Sequence, residues 1–188
     1  VSKAFSGVLA GILSDEGVIQ LEDKVLDYVP GFRLKDSANT KDLNIENILS
    51  HTSGLVPHAY DNMVEAGVPM KVILDSLFRV NISDIPGRLY GYQNVVFSLL
   101  DTIMEVATGR SFEYLIHEKL FRAFGMNHAS AGYGLFAHNY NKAYPHVRTR
   151  KGYVKTRLND RYYNTNPAAG INASIMDMAR FLIALSDR

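Results

Sequence analysis

The chain opens Val1-Ser2-Lys3-Ala4-Phe5-Ser6-Gly7-Val8-Leu9-Ala10-Gly11-Ile12-Leu13. Val1, Phe5, Val8, Leu9, Ile12 and Leu13 recur at helical spacing and Asp15-Glu16-Gly17 supplies a glycine stop, so the pattern predicts a helix over 1–13. No capping residue precedes the periodic run, the pattern expected of a chain that starts within or just before the helix. A serine and a lysine three positions apart on a helix lie one turn apart on the same face, so the amine can reach the hydroxyl. With one serine ahead of Val1, the opening would read Ser-Val-Ser-Lys and Lys3 would be the amine of such a pair. Near a helix N-terminus and close to another cation, that amine would release its proton more readily and could take or pass on the hydroxyl proton. Taken alone, Lys3 reads as a solvated lysine at an exposed helix start, since most lysines are surface residues.

Working outward, Asn44 can cap a helix from Ile45 to about Ser50, with Gly54 closing the turn that follows. Apolar spacing predicts helices over 70–80 and 94–107, the second ended by Gly109, and Ser111 caps another to about Leu120. Residues 121–140 show no clear period. Tyr144, Val147, Tyr153 and Val154 flank the Lys151-Gly152 turn as a small hairpin, and Ser174-Ile175-Met176-Asp177 is a capping box that opens a last helix through Leu185. The sum is a mainly α chain with one small β hairpin and no internal repeat. A two-layer domain needs a sheet or more helices over these apolar faces, so both ends read as edges of a larger fold.

A length of 188 residues with 47% hydrophobic content suits one domain with a substantial core, and a net charge of +1 gives no electrostatic reason to expect nucleic acid. The absence of cysteine excludes disulfides and thiolate metal sites. No apolar run approaches the ~20 residues that cross a bilayer, and no signal-peptide pattern is visible, which would place any leader upstream of Val1.

Tyr92-Gln93-Asn94 lies between the Pro86-Gly87 turn and a buried helix. On extended backbone, Tyr92 and Asn94 project to the same side. A tyrosine beside ammonium groups can act as base toward an attacking hydroxyl and then as acid toward the leaving group, while an asparagine amide can hold both a lysine and a substrate carbonyl. The plainer alternatives are a buried tyrosine with a satisfied hydroxyl and an asparagine capping the helix from Val95. Ser50-His51-Thr52-Ser53-Gly54 lacks the leading glycine of a nucleophile elbow; Ser53 with His51 as base is possible, but a structural turn with a buried imidazole fits better. The remaining histidines have no zinc spacing, so neither metal nor cofactor is expected.

Taken together, these segments resemble the serine β-lactamase and penicillin-binding protein superfamily, above all the class C β-lactamases and related esterases. The matching stretches are Val1 to Phe5, Leu49 to Leu55, Pro86-Gly87 with Tyr92-Gln93-Asn94, Gly109-Arg110-Ser111, Phe124-Gly125-Met126, and Ala168 to Ser174 with Asp177. They occur in the family's order and cover nearly the whole chain. The resemblance implies that residues 1–188 form a partial domain, the helical lobe of the α/β β-lactamase/transpeptidase-like fold with its central antiparallel sheet largely missing. It implies acyl transfer through a serine ester, with Lys3 as the motif lysine, Tyr92 as general base and acid, and Asn94 as a substrate-binding amide. The substrate would be a small molecule, a β-lactam, a peptidoglycan peptide or an ester, and the parent protein an exported bacterial hydrolase. The chain departs from the pattern in having neither the nucleophilic serine nor a Lys-Thr-Gly or His-x-Gly element after Ala168. It is therefore expected to be inert by itself and to self-associate through the faces that the sheet would cover. The alternative is a non-catalytic binding or scaffold domain on the same fold.

Overall fold

The computed structural model describes residues 1–186. In chain order its helices are α1 (Ser2–Asp15), α2 (Val25–Tyr28), α3 (Ser37–Asp42), α4 (Ile45–Leu49), α5 (Asp61–Glu65), α6 (Met70–Asp75), α7 (Leu99–Thr108), α8 (Phe112–Ile116), α9 (Tyr133–His138), α10 (Asn166–Ala169) and α11 (Ile175–Ser186). The strands are β1 (Ser130–Ala131), β2 (His146–Thr149), β3 (Gly152–Lys155) and β4 (Ile171–Asn172). β2 and β3 form the antiparallel hairpin expected at Lys151-Gly152, with His146 opposite Lys155. A second antiparallel pair, β1 with β4, joins segments 40 residues apart and sets Ser130 opposite Asn172; two-residue strands carry too little alternation to be read from sequence.

The core is built on the apolar stripe of α1. Phe5, Leu9 and Leu13 are fully buried. The Phe5 ring stacks on Phe181 of α11 at 3.9 Å and meets Phe121 edge-on at 6.2 Å. α7 buries Leu99, Leu100, Ile103 and Met104, and Gly109 ends it in the left-handed conformation at φ 68°. The caps expected at Asn44 and Ser174 are made. Asn44 Oδ1 accepts from Asn47 N at 2.8 Å, and Ser174 Oγ and Asp177 close a reciprocal box at the start of α11. The opposite side of α11 leaves Ile175, Met176, Leu182, Ile183 and Leu185 exposed.

Three expected helices are interrupted. The helix over 70–80 stops at Asp75, where Ser76 Oγ donates to Val72 O at 2.7 Å and Ser76 N to Ile73 O at 3.0 Å, tightening the chain into a 3-10 turn at Leu77–Arg79. The helix over 94–107 begins as a 3-10 turn, because Ser98 N is shared between Asn94 O and Val95 O, both at 3.1 Å. The helix expected to Leu120 widens to a π-helical turn over His117–Arg122, which keeps the adjacent Leu120 and Phe121 both in the core.

The loop that supports the site turns at Gly54. Its φ is 81°, and a Cβ there would lie 2.3 Å from the carbonyl oxygen of Asp84. Gly54→Ala is therefore expected to destabilise the fold by roughly 2–4 kcal/mol, from positive-φ strain plus overpacking against backbone. A urea unfolding midpoint equal to that of the parent chain would refute this.

Candidate active site

The first turn of α1 places Lys3 half-buried against the segment Gly91 to Asn94. That segment has no regular secondary structure and is held by the loop after α4. Gly91 N donates to His51 O at 2.8 Å, His58 N donates to Tyr92 O at 2.8 Å, and Gln93 N donates to His51 Nδ1 at 3.2 Å. Gln93 Nε2 adds a bond to Val56 O. Tyr92 and Asn94, two apart on this backbone, both reach Lys3. The Lys3 Nζ donates to Tyr92 Oη at 3.0 Å, to Asn94 Oδ1 at 2.6 Å and to Ala168 O at 3.4 Å. It also stands 5.1 Å from the centre of the Phe97 ring. The structure thus brings together the three residues singled out in the sequence, 89 and 91 positions apart.

Two corrections follow from the geometry. The Asn94 side chain does not cap the helix from Val95, since its oxygen goes to Lys3 and its nitrogen to Asp61 Oδ2 at 3.0 Å. And the Lys3 amine falls to about 8 from its ordinary 10.5 because burial strips it of water, not because of a neighbouring cation; the nearby Asp61 carboxylate opposes the fall.

His51 is buried, with φ 58°. Because a backbone N–H can only donate, its Nδ1 is the acceptor and the proton of the neutral ring sits on Nε2. Burial first, and then the Lys3 charge, push its pKa down to about 4, so it stays neutral. The ring lies 4.6 Å from Tyr92 and 5.3 Å from Phe97, centre to centre. Ser53 is 1% exposed, and its Oγ accepts from Leu55 N at 3.4 Å. This pair does the work of a structural turn: the imidazole positions the Tyr92 segment, and the hydroxyl faces protein. Ser2, next to Lys3 in sequence, is likewise occupied, accepting from Ile171 N at 3.2 Å. Ser6 Oγ donates to Pro167 O at 2.6 Å, so α1 is stitched to the α10–β4 segment that supplies Ala168 O.

Asp61 and the Ala168 carbonyl were not legible as site groups in the sequence. The first opens the five-residue α5, too short to show a period, and the second is backbone. Among the described residues no cluster of three or more histidine, aspartate or glutamate side chains could hold a metal ion, and no helix is long and apolar enough to cross a membrane.

The model of the Beta-lactamase family matches residues 1–188. The chain belongs to the β-lactamase family. This β-lactamase-family chain is 28% identical over 130 residues to penicillin-binding protein 4 of Amycolatopsis lactamdurans, a match covering 68% of the chain and 33% of that protein. Its fold superposes on the octameric penicillin-binding protein homologue from Pyrococcus abyssi with a TM-score of 0.80 at 22% identity, over 96% of the chain and 42% of that protein. A class C β-lactamase gives a TM-score of 0.76 at 23% identity, over 97% of the chain and 48% of the enzyme. The chain thus spans about a third of the length of the curated relative and under half of either solved structure. The fold is the helical part of the β-lactamase/transpeptidase architecture, as the motifs implied.

Proposed function

We propose that this chain supplies the lysine, tyrosine and asparagine side of an acyl-transfer site in an exported, penicillin-recognising serine hydrolase. The observation that carries the reading is the single amine of Lys3 bonded at once to Tyr92 Oη and Asn94 Oδ1. In this reading a serine directly ahead of Val1 attacks the carbonyl carbon of a β-lactam, peptidoglycan peptide or ester. Its proton passes to the Lys3–Tyr92 pair and then to the leaving nitrogen or oxygen as the bond to the carbonyl carbon breaks. An ester to the serine remains, and water completes the turnover. Asn94 holds the substrate by its amide. The family match and the penicillin-binding and β-lactamase names among its relatives support this class of chemistry.

The 188-residue chain by itself is expected to be inert, since removing the nucleophile leaves only what binding supplies. Intact-mass measurement tests both parts. Incubated with a penicillin, this chain should remain at 21.0 kDa, whereas the protein carrying a serine directly ahead of Val1 should gain one penicilloyl group on that serine. An adduct mapped to Ser53, or no adduct on the longer protein, would overturn the proposal.

A further inference from the structure

The loop from Gly54 to α5 holds two non-glycine residues in the left-handed region, His58 at φ 58° and Tyr60 at φ 62°. Side chains with a Cβ rarely sit there, and the conformation persists only where the surroundings impose it. Its consequence here is the delivery of Asp61, the first residue of α5, beneath Asn94. Asp61 Oδ2 accepts from Asn94 Nδ2 at 3.0 Å and is bonded to His58 Nδ1 at 2.8 Å. Its other oxygen, Oδ1, is buried without a hydrogen-bond partner. A carboxylate kept in such a place is costly for folding, so its value lies in its charge and direction.

The Asn94 amide lies between two opposite charges. Its carbonyl oxygen faces the Lys3 ammonium and its NH2 faces the Asp61 carboxylate. Turned over, the amide would set NH2 against ammonium and oxygen against carboxylate, losing both bonds. We propose that Asp61 is a positioning residue of this site, whose carboxylate fixes the direction of the Asn94 amide between itself and Lys3 and leaves the second N–H of Asn94 free for a substrate carbonyl. The substrate clause rests on the acyl-transfer reading; the lock is a property of the folded chain. The same carboxylate is the negative charge that opposes the effect of burial on Lys3. The other titratable groups around that amine are Tyr92 and the neutral His51, with His58 beyond Asp61.

The test needs no substrate. The Lys3 ε-carbon resonance of the 188-residue chain, assigned with Lys3→Arg, is followed across neutral and alkaline pH beside the side-chain amide protons of Asn94. Asp61→Asn keeps an acceptor for Asn94 and removes the charge. Its Lys3 midpoint should fall below the parent's value near 8, so that at that pH the neutral amine goes from about half of the population to most of it. Asp61→Ala should in addition speed exchange of the Asn94 amide protons. Glu65→Gln, on the same helix, should change neither. An unmoved Lys3 midpoint in Asp61→Asn, or unchanged Asn94 exchange in a folded Asp61→Ala, overturns the proposal. If Asp61→Ala does not fold, faster Asn94 exchange in the weaker neutral bond of Asp61→Asn replaces that second readout. A chain that passes these tests while the longer protein takes no penicillin would uphold the lock and refute the acyl-transfer reading alone.

Discussion

Lys3→Met, made in the protein that carries a serine directly ahead of Val1, is expected to slow acylation by roughly 10²–10⁴-fold, the range that a positioned proton-transfer group supplies. Methionine nearly matches the length of the side chain and keeps its apolar stem, so α1 should pack as before. What disappears is the one donor shared by Tyr92 Oη, Asn94 Oδ1 and Ala168 O. Rates of penicilloyl-ester formation, followed by mass, measure the loss; a decrease of less than tenfold would remove Lys3 from the chemistry. Stability should move differently from activity. The amine releases its proton near 8 when folded and at 10.5 when free. Between those values the unfolded chain binds more protons, so the parent's stability rises with pH across that window, whereas Lys3→Met lacks this rise. Unfolding midpoints taken on both sides of the window separate a lost proton-transfer group from a damaged fold.

The parts of this fold that were legible are those encoded locally. The stripe on α1, the Asn44 and Ser174 caps and the hairpin at Lys151-Gly152 each need only a few neighbouring residues to declare themselves, and each is where the spacing put it. The ordered motifs were equally informative, since the family they resembled is the one whose model matches the whole chain. What stayed hidden depends on contacts between distant segments or on elements too short to show a period. α3, α5 and α9 span six residues or fewer, below two turns of amphipathic pattern. Apolar spacing alone gives one continuous helix over 70–80, because the bond from Ser76 back to Val72 O has no signature in composition. Asp61 meets Asn94 across 33 positions, through a loop whose left-handed His58 and Tyr60 no propensity would place there. A motif therefore singled out Lys3, Tyr92 and Asn94, but only the fold shows the Asp61 carboxylate bonded to Asn94.

Phe5→Ala carries the largest expected loss of stability, about 3–5 kcal/mol, as for other fully buried phenylalanines cut back to alanine. Phe5 is fully buried, stacked on Phe181 of α11 and edge-on to Phe121 of the π-helical turn, so one side chain joins three segments of the core. The outer side of α11 carries exposed Leu182 and Ile183, which leaves Phe181 and its contact with Phe5 as a principal tie between that helix and α1. Truncation leaves a cavity that the rigid α1 backbone cannot close, and the lost aromatic pairs add to the lost burial. The effect should reach the site as well, because the helix that Phe5 anchors carries Lys3 two residues earlier. Urea unfolding of Phe5→Ala beside Phe5→Leu distinguishes the cavity from a general intolerance of change. The leucine variant should recover more than half of the loss, and a parent-like midpoint for the alanine variant would mean that α1 is not the centre of the core.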